Sequence, residues 1–270
     1  METTSNIILS ILTPVFNGSA YLKSCLENVC QQIQPGIEHW IIDGGSEDGS
    51  IEILEDYSAR YPHLNWVSEK DKGQSDAMNK AIRLAKGQWI SFLNVDDYYE
   101  AGALASVLKL ISQNPNRECL FVGNLNIWNP DGSLHSVNRS NRITIPRLLA
   151  DLCEWPYNPS AYFYPKSVHE KIGYFPENEH YAMDYDFILK VATSGIPVEY
   201  HDETWGNFRL LPEAKTSQDQ QSNQSYLRAK ALRDRHFQIL PLKQKLEVHW
   251  LKLKWFLTLK WRRIFPKASE

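Results

Sequence analysis

Gly87-Gln88-Trp89-Ile90-Ser91-Phe92-Leu93-Asn94-Val95-Asp96-Asp97 is an apolar run that ends on two adjacent carboxylates. Trp89 to Leu93 has the length and near-continuous hydrophobicity of a strand buried on both faces, as in a parallel sheet. The same punctuation recurs three times upstream. Ile7 to Leu12 ends at Thr13-Pro14-Val15-Phe16-Asn17, Trp40-Ile41-Ile42 at Asp43-Gly44-Gly45-Ser46, and Leu64 to Val67 at Glu69-Lys70-Asp71. Between these runs, apolar residues fall at helical spacing: Tyr21, Leu22, Cys25, Leu26 and Val29; Ile51, Ile53, Leu54 and Tyr57; Ala77, Met78, Ala81 and Ala85. Strands alternating with helices predict an α/β chain with a doubly wound, mainly parallel, Rossmann-like sheet. Ligands of such sheets sit beyond the carboxyl ends of the strands, so four polar strand ends are expected to face one crevice.

Downstream, the pattern predicts a helix from Ala103 to Ile111, a strand from Leu120 to Gly123 and a hairpin turn at Asn129-Pro130-Asp131-Gly132. Phe187, Ile188, Val191 and Ala192 read as a short helix ended by Gly195 and Pro197, and Gln218 to Gln224 as a polar linker. A chain of 270 residues, 43% hydrophobic, can bury one large core. The expected division is one domain over residues 1–217 and a linker with a basic helical tail over 218–270. A net charge of −3 is too small to suggest a nucleic-acid partner. The charge is uneven, however: between Leu242 and Lys267, eight Lys and Arg residues stand against Glu247 alone. Cys25, Cys30, Cys119 and Cys153 show no metal-ligand spacing and read as reduced thiols. Met1 to Asn6 lacks the character of a secretory signal, and no window reaches the ~18 apolar residues of a spanning helix, so the body is expected in the cytoplasm.

Asp96 and Asp97 are oxygen ligands suited to a hard divalent cation, Mn2+ or Mg2+, which would neutralise a diphosphate leaving group. A turn or helix cap is the plainer use of the same pair. Asp43-Gly44-Gly45-Ser46-Glu47-Asp48-Gly49-Ser50 offers a carboxylate to a nucleotide, but it is neither a P-loop nor a GxGxxG turn. Asp48 and Ser50 are expected to cap the helix that follows.

TPVFN, IIDGGSEDGS, EKDKGQSDAMNKAI and GQWISFLNVDD, in this order and spacing, resemble the nucleotide-binding half of family-2 inverting glycosyltransferases of the GT-A fold. The likeness is strong over Ile7 to about Tyr99 and weaker to about Lys215. It implies a nucleotide-sugar-binding half (7–100) and an acceptor and catalytic half (101–217). It places Thr13, Pro14 and Asn17 beside the nucleotide, Asp43 on the base and Asp71 in the nucleotide site. Asp76, Asn79 and Lys80 would help place phosphate or sugar, though Asp76 and Lys80 also form an ordinary i, i+4 pair. Asn94 stands where the family often has a first Asp, which leaves Asp96 and Asp97 as the metal-binding pair.

Met183-Asp184-Tyr185-Asp186-Phe187 is similar to the family's Glu-Asp motif, with Met183 in place of the Glu, and makes Asp184 the expected general base. A carboxylate serves if burial raises its pKa toward the operating pH. Asp186 is the alternative base; Asp184 is also a natural N-cap, and Asp186 suits a helix N-terminus. Phe208-Arg209-Leu210-Leu211 resembles a later family loop without its His; Arg209 and Lys215 are candidate diphosphate contacts. Trp155-Pro156-Tyr157-Asn158-Pro159-Ser160 is a candidate acceptor wall or simply a proline-fixed loop. Trp and Lys/Arg interleaved from Leu242 to Phe265 suit a helix at the inner face of the cell membrane, or one packed on protein. The partners so implied are a nucleoside-diphosphate sugar, UDP-linked by first expectation, and a glycan or lipid-linked acceptor. A nucleotidyltransferase and an inactive nucleotide-sugar-binding scaffold are the competing readings. The nucleotidyltransferase lacks its usual Gly-rich, Arg-bearing loop here.

Overall fold

The computed structural model describes residues 7–113, 115–156, 158–177, 182–212 and 224–264. Lys215, Tyr157 and the linker expected at 218–223 lie outside them, while Gln224 already begins a helix. The first half alternates as its sequence predicts: β1 (Leu9–Val15), α1 (Ser19–Cys30), β2 (Ile37–Asp43), α2 (Ser50–Arg60), β3 (Leu64–Ser68), α3 (Gln74–Leu84) and β4 (Trp89–Phe92). These strands are parallel in the order β3-β2-β1-β4, with Leu9 beside both Ile37 and Trp89 and His39 beside Leu64. The winding reverses between β1 and β4, and at that switch point the carboxyl ends of the strands part into a crevice.

Helices cover both faces because successive strand residues point opposite ways. Leu9, Ile11 and Trp89 pack with Cys25 and Val29 of α1 and with Leu104 and Val107 of α4 (Ala103–Gln113). Leu12, Ile42, Ile90 and Phe92 face the other core, with Ala77 and Ala81 of α3, Leu148 of α5 (Ile145–Ala150) and Ile188 of α7 (Met183–Thr193); α6 (Val168–Ile172) lies between the last two in sequence.

Beyond β4 the sheet becomes mixed. It continues β4-β8-β6-β9-β5, using β5 (Tyr98–Tyr99), β6 (Leu120–Trp128), β8 (Tyr162–Pro165) and β9 (Val198–Arg209), with β7 (Leu134–Asn138) hairpinned onto β6. The β4–β8, β8–β6 and β9–β5 pairs are antiparallel, while β6 and β9 pair in parallel. β8 runs antiparallel to β4 and β6 and is reached from β7 through α5 and a short 3-10 turn at Pro159–Ala161. β6 passes Gly123, the expected end, because Trp205 of β9 lies where a side chain would be: a Cβ on Gly123 would sit 2.5 Å from its ring. The turn at Asn129 to Gly132 closes the hairpin, with Gly132 N–H donating to Asn129 C=O at 2.9 Å.

The chain ends in α8 (Gln224–Gln238) and α9 (Leu242–Ile264). Leu232, Leu240 and Val248 are buried in the same core as α3, α5 and α7. No described helix is long and apolar enough to cross a membrane. The four cysteines are free, Cys25 and Cys119 being buried.

Candidate active site

The end of β2 is built around Asp43. Its carboxylate is fully buried and accepts from Gly45 N–H (2.9 Å), Ser46 N–H (3.0 Å) and Ser68 Oγ (2.7 Å), with the Ser46 hydroxyl on its second oxygen. Asp43 therefore shapes the loop at the crevice floor. Asn17 takes a left-handed backbone (φ 50°) and locks the β1 end to that loop, donating N–H to Ser46 Oγ (2.7 Å) and accepting from Glu47 N–H (3.0 Å). Thr13 is fully buried, its hydroxyl 3.0 Å from His39 Nε2, and burial pushes that imidazole down to about 3, so the pair is neutral. Pro14, between them, is partly exposed.

Asp71 stands opposite. Its Oδ1 accepts from Gly73 N–H at 2.8 Å, and a Cβ on Gly44 would fall 2.5 Å from its Oδ2 and 3.3 Å from the Phe16 ring. Gly44 thus lets the Asp71 carboxylate and the Phe16 ring close directly on the loop backbone, where any side chain would collide. Phe16 is 65% exposed and was not among the expected site residues. Its signal in the sequence is a large aromatic placed after a strand end, where no apolar periodicity claims it.

From α3, Asp76 accepts from Lys72 N–H (3.1 Å), and Lys80 reaches Glu69 (2.9 Å), Asp76 (3.4 Å) and the Lys70 carbonyl (3.2 Å). The Asn79 amide donates to Phe175 C=O (2.9 Å) and accepts from Phe175 N–H (3.0 Å), pinning α3 to the loop after α6.

Asp97 is buried beneath the end of β4. It accepts from Asn158 Nδ2 at 2.6 Å, Asn94 Nδ2 at 3.1 Å and the Arg209 N–H at 3.3 Å. Burial, reinforced by the neighbouring Asp96 charge, pushes its carboxyl well above the usual range. Arg209 donates to the Asp96 carbonyl at 2.9 Å and lays its guanidinium 4.7 Å over the Tyr98 ring, bringing a fixed positive charge to the pair. Asn158 belongs to the expected acceptor wall; its Nδ2 holds Asp97 while its Oδ1 caps Ser160 N–H at 2.9 Å. Trp155 packs on Tyr185 in a tilted arrangement, with centroids 4.7 Å apart. Among the described residues no three or more His, Cys, Asp or Glu side chains gather as a metal site. The protein offers a carboxylate pair, a donor set that fits Mg2+ or Mn2+ when phosphate oxygens complete the shell. A cation there would also relieve the repulsion that raises Asp97.

Asp184 approaches from the other half. Helix α7 begins at Met183 with Ala182 at the N-cap, so Asp184 lies in the first turn and does not cap it. Ser75 Oγ meets Met183 Sδ at 3.3 Å, joining the starts of α3 and α7, and Gln74 Nε2 meets Asn94 Oδ1 at 3.3 Å, tying α3 to the end of β4. Asp184 is a half-buried residue whose carboxylate accepts from Tyr162 OH at 3.3 Å and is pushed up to about 6 by desolvation against that hydrogen bond. Two residues on, Asp186 is driven the other way: burial opposes its charge, but bonds from His236 (3.2 Å) and Lys190 (2.8 Å) hold it below the usual range. Neighbouring carboxyls with divergent pKa values separate a proton-accepting role from a charged structural one.

A family model described as "Glycosyl transferase family 2" matches residues 10–159, more than half of the chain. The chain is 30% identical over 192 residues to a chondroitin synthase of Escherichia coli and 29% identical over 192 residues to a hyaluronan synthase of Pasteurella multocida. Each match covers 70% of this chain, which spans 27% and 19% of those relatives' lengths. Among solved structures, S. aureus TarS 1-349 in complex with UDP-GlcNAc superposes with TM-score 0.70 at 18% identity, over 89% of this chain and 69% of that one. A mannosyltransferase of Pyrobaculum calidifontis, in complex with GDP-Man and Mn2+, superposes with TM-score 0.59 at 15% identity, over 98% and 89% of the two chains.

Proposed function

The chain belongs to glycosyl transferase family 2 and has the GT-A fold, and from this premise we propose that it transfers a sugar, with inversion, from a nucleoside-diphosphate sugar to a glycan or lipid-linked acceptor. The observation that carries the proposal is the meeting of the two halves. The Asp96/Asp97 pair with Arg209 stands at the end of β4, and Asp184, raised to about 6, stands at the start of α7, joined to it through Gln74 and Ser75. The nucleotides in the two solved neighbours, one bound with Mn2+, favour such a donor, and UDP is the first choice. The names of the two synthases favour a growing glycan as acceptor.

In this reading residues 7–100 hold the donor and 101–217 the acceptor. The base lies against the exposed Phe16 ring and Asp71, over the loop that Asp43 and Asn17 fix, with Thr13 and Pro14 beneath and Asp76 and Lys80 at its side. The diphosphate lies toward Arg209 and the Asp96/Asp97 pair. A divalent cation held by that pair would supply Lewis-acid neutralisation of the leaving diphosphate. Asp184 accepts the proton of the acceptor hydroxyl as its oxygen bonds to the anomeric carbon from the face opposite the phosphate. The sugar–phosphate bond breaks with its electron pair going to the diphosphate, so the product has the inverted configuration.

The raised pKa of Asp184 sets the pH dependence. The carboxyl is protonated and inert as a base below about 6 and competent above it, so turnover rises with pH through about 6. Folding stability runs the opposite way: this group stabilises the fold at acid pH, and that contribution is lost as pH rises from the unfolded value of 3.8 through about 6. Nucleoside-diphosphate release assayed from pH 5 to 8, with the product's anomeric configuration read by NMR, tests the proposal. A flat profile or a retained configuration would sink it.

The tail extends the proposal to location. Leu246, Trp250, Leu253 and Leu257 form an exposed stripe on α9, with Trp255 and Phe256 beside it and Lys243, Lys245, Lys252, Lys254 and Lys260 interleaved. This composition suits a helix lying in an anionic bilayer interface at the inner face of the cell membrane. Vesicles containing phosphatidylglycerol are expected to co-sediment the protein and neutral phosphatidylcholine vesicles to leave it in solution. Replacing Trp250, Leu253 and Leu257 by Ala should release it. Equal behaviour with both vesicle types would contradict the membrane reading.

A further inference from the structure

Helix α8 buries three side chains, and two of them are polar: Leu232, Arg233 and His236. Burying a guanidinium and an imidazole is costly unless both are partnered, and a helix serving only as a spacer has no need of it. The partners here belong to the two elements that frame the candidate site. His236 Nε2 lies 3.2 Å from Asp186 Oδ1 on α7, and its Nδ1 lies 3.4 Å from Thr193 Oγ1 at the far end of the same helix. The imidazole therefore spans α7 from its first turn, which carries Asp184, to its last.

Arg233 donates to Asp151 Oδ1 at 3.1 Å. Asp151 is the left-handed C-cap of α5 (φ 61°) and opens the loop that leads to Asn158, the amide on which Asp97 rests. Tyr185, the residue following Asp184, donates its hydroxyl to Leu148 C=O of α5 at 3.4 Å and packs its ring, tilted by 36°, against Trp155 in that loop. One helix thus grips both the segment bearing the base and the segment supporting the carboxylate pair.

We infer that α8 is a brace for the reaction: His236, with Arg233, is a positioning residue that holds the first turn of α7 so that Asp184 faces the acceptor hydroxyl. The inference rests on Asp184 being the base, as proposed above. His236 touches neither donor nor acceptor. Its loss is expected to slacken the base without altering the nucleotide site, which is built from β1, β2 and α3.

The test uses the full chain with a UDP-sugar and an acceptor. His236→Ala should lower kcat for transfer by about ten- to a hundredfold, the scale of a small misplacement of a reacting group. Donor affinity by calorimetry, and slow donor hydrolysis without acceptor, should stay at the wild-type level. His236→Gln, whose amide nitrogen can take the place of Nε2 toward Asp186, should restore most of the turnover. Arg233→Met keeps the aliphatic stem, breaks the bond to Asp151 and should give a milder loss of the same kind; it is the second probe should His236→Ala fail to fold. A kcat defect with unchanged donor affinity and rescue by Gln supports the brace. Wild-type turnover in His236→Ala and Arg233→Met, or loss of donor affinity in step with kcat, overturns it. Asp184→Asn is run in parallel. If it transfers normally, the base assignment itself fails and the brace with it; if it is inactive while His236→Ala is normal, only the brace fails.

Discussion

Asp184→Asn is expected to lower the turnover of sugar transfer by about 10²–10⁴-fold, the usual contribution of a general base, with donor affinity unchanged. The substitution keeps shape and can still accept a hydrogen bond from Tyr162, so the fold should hold. It should gain stability near neutral pH, because a carboxylate pushed up to about 6 is charged there at a desolvation cost that an amide does not bear. An unchanged or raised melting temperature together with lost transfer separates a catalytic role from a structural one. Asp186→Asn should behave differently. Asp186 sits in a bonded network with Lys190 and His236, and its loss should appear first as lower stability.

The second large effect is expected at Asp96. Its carboxylate is the more open of the pair, and replacing it by Asn removes a charge from the position proposed to hold the cation. Several kcal/mol of leaving-group stabilisation are at stake, so transfer should fall about a hundredfold or more, with the dependence on Mn2+ or Mg2+ largely lost. Asp97→Asn is a less clean probe, since three hydrogen bonds run into that buried carboxylate and an amide would turn its NH2 either toward the Arg209 N–H or toward Asn94 and Asn158, which share the other oxygen. Retained, metal-dependent transfer in Asp96→Asn would place the cation elsewhere.

The strand ends that make the crevice were legible because each apolar run stops abruptly at polar residues, and parallel strands buried on both faces leave that signature. Which way the side chains there point was not legible. Thr13 turns inward because its position on β1 brings it against His39 of β2, a contact 26 positions away in the chain. Asp43 gathers its hydrogen bonds from its own loop and from Ser68, which is visible only once β3 is placed beside β2. Asn79 looked like part of a donor-facing helix start, and only the return of the chain at Phe175 shows where its amide goes. Asn158 supports Asp97 across 61 positions, and nothing in its proline-flanked loop announces that role. The antiparallel course of β8 was hidden for a related reason: Tyr162-Phe163-Tyr164 is too short for its period to fix a direction. Nothing in the sequence singles out Arg233 and His236, whose partners come from α5 and α7.

The most direct test of the central claim is a calorimetric titration of UDP-, GDP- and dTDP-sugars into the intact chain, with and without Mn2+. Binding of one nucleotide class that is strengthened by the metal, and lost when Asp96 is replaced, is the result predicted. A folded protein that binds none of these donors, with or without metal, would contradict it.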